Sequence, residues 1–129
     1  MFLKTSSEYE ELVAASERCL KELPLVFQKN GTDRVSEFEI VHPVYFRILI
    51  EPNKVPKTRN LLMPSISPPV GSTIEITYGL ESDPEDQIKA SESARVFLRS
   101  LTKAMPEPWR GLSGGESAKE EKRWKEQLR

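Results

Sequence analysis

The stretch FEIVHPVYFRILIE, Phe38–Glu51, decides the fold. Val44, Phe46, Ile48 and Ile50 alternate with Tyr45, Arg47, Leu49 and Glu51, and a period of two places one apolar row on one face of a strand. Phe38 and Ile40 alternate in the same way with Glu37 and Glu39. Pro43 separates the two runs. Proline cannot donate to a ladder and belongs at a strand start, a bulge or an edge, so the runs form a tight hairpin or one long strand broken by a bulge. Further on, Ile74, Ile76, Tyr78 and Leu80 alternate with Thr73, Glu75 and Thr77. β-Branched and aromatic residues dominate all three runs, as strands prefer. Each run has one apolar and one polar face, the pattern of an antiparallel sheet covered by helices on one side only.

A helix is expected on each side of this block. Before it, Ser7 and Glu10 have the spacing of a capping box. Tyr9, Leu12, Val13, Leu20 and Leu23 then recur at helical spacing, with Ala15, Ser16 and Cys19 filling the stripe. Pro24 ends this helix near Leu23. Leu25 to Lys29 reads either as a last helical turn capped by Asn30-Gly31 or as a strand entering an Asn-Gly turn, and the helical turn is preferred. After the block, Asp83 suits an N-cap and Pro84 the first helical position, while Glu85 and Asp86 favour the positive end of the dipole. Ile88, Ala94, Phe97, Leu98, Leu101 and Met105 form the expected buried stripe. Arg95, Arg99 and Lys103, four residues apart, flank it as a solvated edge or as a basic ridge for phosphates or an acidic partner.

Two segments stand outside this core pattern. About twenty residues, Pro52 to Gly71, join the second and third runs, and loops that long in a compact domain usually have a function or are disordered. This one carries Lys54, Lys57 and Arg59, then Leu61, Leu62 and Met63, then Pro64, Pro68 and Pro69. It reads as a crossover whose apolar residues plug the core edge, or as a partner-binding segment. The other segment begins with a Pro- and Gly-rich linker after Met105 and ends in SAKEEKRWKEQLR. There a short charged helix with Ser117 and Glu120 as its capping pair is expected to fray or to dock. Trp109 and Trp124 lie in this tail beside Arg110 and Arg123, residue types found at binding hot spots. Folding back onto the sheet is the competing reading for either ring.

At 129 residues a single domain is expected, with residues 1–105 as the α+β unit and 106–129 as linker and tail. Hydrophobic residues make up 37% and charged residues 30%, a soluble globular balance. The N-terminal residues turn acidic without a signal-peptide pattern, so a cytoplasmic location is expected, or a nuclear one in a eukaryote. Cys19 is the one cysteine, which excludes an intramolecular disulfide. The net charge of −1 gives no global field for nucleic acid.

The chemistry-bearing side chains are sparse. A Cys–His pair could only be Cys19 with His42, the first on a buried stripe and the second at a strand end. One Cys and one His fall short of a structural zinc set. No cofactor, metal or catalytic residue is assigned, and no enzyme activity is expected. Leu112-Ser113-Gly114-Gly115-Glu116 resembles the signature sequence of ABC-type ATPases. The chain carries no phosphate loop of the form GxxxxGK[ST], so the likeness implies no nucleotide chemistry. The order helix, strand, strand, strand, helix is similar to that of double-stranded-RNA-binding domains and of the small Alu-domain proteins of the signal recognition particle. The former open their second helix with lysines where this chain has Asp83, Glu85 and Asp86.

The expected fold is therefore α+β: an antiparallel sheet of three to four strands with two main helices on one face in the order α-β-β-β-α, plus a short C-terminal helix. The expected function is a non-catalytic protein–protein interaction module, a small subunit or accessory factor of a larger intracellular assembly. Its partner is another protein or a second copy, with Leu61, Leu62, Met63, Trp109 and Trp124 at the contact. The alternative is nucleic-acid binding through Lys54, Lys57, Arg59, Arg95, Arg99 and Lys103, and a small enzyme with an unrecognised site stands third.

Overall fold

The computed structural model describes residues 1–32, 34–53, 71–79, 83–105, 107–112 and 116–128. Five strands and three helices follow in the order β1 (Phe2–Thr5), α1 (Tyr9–Glu22), β2 (Val26–Gly31), β3 (Ser36–His42), β4 (Phe46–Pro52), β5 (Ser72–Tyr78), α2 (Pro84–Ala104) and α3 (Glu116–Leu128). The strands form one antiparallel sheet in the order β1-β5-β4-β3-β2. The fold is α+β, with two more strands than the three-run pattern marks, and its element order departs from the α-β-β-β-α likeness.

The alternation of Phe38–Glu51 governs the sheet. Phe38, Ile40, Phe46, Ile48, Ile50, Ile74 and Ile76 form one continuous buried face. Against it pack Leu12, Ala15, Cys19 and Leu20 of α1 and Ala94, Phe97, Leu98 and Leu101 of α2. Removing such apolar surface from water is worth about 25 cal/mol per Å² and is the main term holding the layers together. The two runs around Pro43 are separate strands of a hairpin, and the His42–Pro43 peptide bond is cis.

Several local expectations change. Leu25 to Lys29 is not a helical turn. Pro24 stops α1, and the chain re-enters the sheet as β2, where the β-branched and aromatic pair Val26-Phe27 favours a strand. The turn to β3 lies beyond Asn30-Gly31, which pair with Glu37 and Ser36 in the ladder, and is closed by the Thr32 N–H donating to the Val35 carbonyl at 2.8 Å. Gly31 completes β2 at φ 129°, and a Cβ there would meet the Val35 carbonyl. The capping box at Ser7 does not form: Glu8 is the N-cap of α1, and the Ser7 N–H donates to Thr5 Oγ1. Asp83 is the N-cap of α2, without a side-chain cap bond. Ile88 is 60% exposed and outside the buried stripe. Ser117 and Glu120 do not cap α3, which starts at Glu116; both are inside the helix and bond to other elements.

Candidate functional site

In an antiparallel ladder the backbone N–H and C=O groups of successive residues point alternately to one neighbour and the other. Asn53 donates to the Gly71 carbonyl, so the odd residues of β4 bond to β5 and its even residues to β3. The even residues of β3 are thereby used, and its odd residues bond to Asn30 and Gln28 of β2. Phe27, Lys29 and Gly31 then point their backbone groups away from the sheet. On the other side, Ile76 N–H donates to the Met1 carbonyl, which leaves Phe2 and Lys4 pointing outward from β1.

The two edges are treated differently. At β1, the Lys4 N–H donates to Glu120 Oε2 at 3.1 Å, and Trp124 Nε1–H donates to the Lys4 carbonyl at 2.9 Å. The Ser6 N–H donates to the Pro108 carbonyl at 2.8 Å. Two side chains of α3 thus replace a neighbouring strand at Lys4. Trp124 is fully buried and Glu120 3% exposed, the carboxylate held by Arg123 at 2.9 Å. The Arg99 guanidinium closes the far end of α3 by donating to the Leu128 carbonyl at 3.1 Å. At β2, among the described residues, nothing covers the outward groups of Phe27 and Lys29.

The sheet face away from α1 and α2 adjoins this open edge. Its outward rows follow the register: Gln28, Glu39, Arg47 and Thr77 in one, and Asn30, Glu37, Leu49, Glu75 and Phe2 in the next. None of these side chains is buried. Beyond the first row, one step past the Ile40–Phe46 pair, Val41 stands opposite Tyr45. The bulge at Val26/Phe27 brings Val26 beside them, in the outward row of Gln28 and Asn30. Val26, Val41 and Tyr45 are 54%, 42% and 41% exposed, an apolar corner at the end of the open edge. Acidic groups follow it: Glu37, Glu39, Glu51 and Glu75 against Arg47 and Lys4. Arg47 pairs with Glu37 at 3.1 Å, while Glu39 has no ion pair among the described residues. On the core side of β2, Phe27 meets Phe38 edge-on at 5.9 Å, and Lys29 folds back to Glu17 at 3.6 Å and over the Phe38 ring.

The residues expected at a contact are dispersed. Leu61, Leu62 and Met63, with Lys54, Lys57 and Arg59, lie outside the described residues. Trp124 is spent inside the chain, and Trp109 is half-buried against the core. Arg95 is partly buried with an unpartnered Nε, Arg99 is exposed and donates to the Leu128 carbonyl of α3, and Lys103 is exposed. Cys19 is buried under α1 and His42 is exposed at the end of β3. No group of three His, Cys, Asp or Glu side chains with metal-holding geometry occurs among the described residues, and no helix among them is long and apolar enough to cross a membrane. Val41, Tyr45 and the β2 edge were not singled out from sequence. Tyr45 did stand in the outward row of its alternating run, the one available signal.

The class that this architecture defines is an α+β domain with a five-stranded antiparallel sheet, one edge closed by its own C-terminal helix and the other, among the described residues, open. Compared with known proteins, the chain matches no family model, no curated sequence and no solved structure.

Proposed function

We propose that the protein is a non-catalytic interaction module, a small cytoplasmic subunit or accessory factor that binds a protein partner through the β2 edge and the corner of Val26, Val41 and Tyr45. The asymmetry of the two edges carries this reading. Lys4 of β1 has its outward groups satisfied by Glu120 and Trp124, whereas among the described residues those of Phe27 and Lys29 have no partner. An unpaired strand edge is a template for another chain, and main-chain bonds along such an edge supply affinity. Exposed apolar side chains at its end supply the buried centre that interfaces need. The acidic outward face and the engagement of Arg99 by α3 leave nucleic acid less surface than the sequence suggested.

The test is a paired capture from the protein's own cells with tagged wild type, Val41→Asp, Tyr45→Ala and Ile88→Asp, each with and without nuclease and at low and high salt. Ile88, an apolar residue on α2 more exposed than either, serves as the control. The reading expects partners held by wild type and Ile88→Asp and lost from both corner variants, with all four chains folded. Partners held equally by all four variants, or lost with nuclease alone, contradict it.

A further inference from the structure

We infer that the occupant of the β2 edge is an extended segment of another protein that carries Arg or Lys at alternate positions, on the face shared with Glu39 and Glu37. This rests on the reading that β2 is a docking edge and specifies what docks there. A strand added beside β2 lies about 4.8 Å from it and about 10 Å from β3. Its outward side chains line up with the rows of Val26, Gln28 and Asn30, because neighbouring strands share their faces. Behind Gln28 in its row is Glu39, and behind Asn30 is Glu37. Gln28 and Asn30 are neutral, so the nearest charges that an added strand meets on this face are carboxylates. A long basic stem can lie over Gln28 and place its cation at Glu39, which has no ion pair among the described residues. Glu37 has Arg47 at 3.1 Å, so Glu39 is the stronger of the two attractions. Opposite Val26 the same row calls for an apolar residue, continuous with Val41 and Tyr45. A second copy pairing through its own β2 presents Val26, Gln28 and Asn30 on this face and supplies no cation. The pattern required is thus apolar, basic, basic on alternate residues.

The test uses the full chain labelled for amide NMR and two capped peptides. One is Val-Thr-Arg-Thr-Arg-Thr-Val, whose outward row reads the same in either strand direction. Its twin has Glu for both Arg. The arginine peptide is expected to shift and protect the amides of Phe27 and Lys29, to move those of Glu39 and Val41, and to weaken as salt is raised. Glu39→Gln is expected to weaken it about five-fold, the scale of one exposed charge pair at a rim. If the glutamate twin binds β2 equally well, or Glu39→Gln changes nothing, the edge is a docking site and the basic specificity is overturned. If neither peptide reaches β2, the inference falls, and the paired capture separately decides whether the docking reading falls with it. Shifts at Phe27 and Lys29 that grow with protein concentration alone would name a second copy as occupant. Tighter peptide binding by a chain with residues 54–70 replaced by a short linker would name that segment. Either result overturns the inference.

Discussion

Trp124 shows what a single residue can and cannot announce. It is the one aromatic residue in a helix of mostly charged side chains, which is why it reads as a hot spot. Its spacing does not say whose surface it meets, and it meets its own β1: the ring is fully buried and its N–H holds the Lys4 carbonyl. Trp124→Ala is therefore expected to cost about 3–5 kcal/mol of stability, from the cavity and the orphaned carbonyl together, read from denaturant midpoints. Glu120→Ala leaves the Lys4 N–H buried without an acceptor and is expected to cost about 1–3 kcal/mol. Glu120→Gln keeps an oxygen there and should recover most of that loss. Gly71 is a second residue fixed by geometry: at φ 96°, a Cβ would run into the Thr5 carbonyl. Gly71→Ala should destabilise by about 1–3 kcal/mol, seen as a lower midpoint with an unchanged slope.

At the scale of elements, the strands with clean alternation were legible and those without it were not. β3, β4 and β5 each bury every second residue, and the sequence shows that period directly. β1 spans only Phe2–Thr5, too short to carry a period. In β2 no residue is fully buried, because among the described residues one side of the strand has no neighbour, so the apolar contrast that marks a strand is missing. The position of α2 was legible from Asp83-Pro84, but its stripe was assigned one residue too many. Each residue advances about 100° around a helix, which puts Ile88 on the far side from Ala90, Ala94, Phe97, Leu98 and Leu101. Ile88→Lys is thus expected to change stability by less than about 0.5 kcal/mol, while Leu98→Ala costs about 2–5 kcal/mol. Equal losses for the two, by chemical denaturation, would contradict this packing.

For the whole molecule, the one-sided sheet was readable because the outward face of β3, β4 and β5 is more polar than the covered one. What covers the sheet's edges was not, since edge contacts join residues more than a hundred positions apart, as Lys4 with Glu120 and Trp124. The candidate site suffers from the same limit: Val26, Val41 and Tyr45 become neighbours only through strand register and the bulge that adds Val41 to β3 opposite Val26 and Phe27. The functional account stands on β2 being an edge that a partner completes. Amide hydrogen exchange on the full chain, alone and in its native complex, tests this most directly. The account predicts that the Phe27 and Lys29 amides exchange freely in the isolated chain and become protected in the complex. The Lys4 amide, already held by Glu120, should be slow in both states. Protection gained only on α2 or α3, with β2 unchanged, would contradict it.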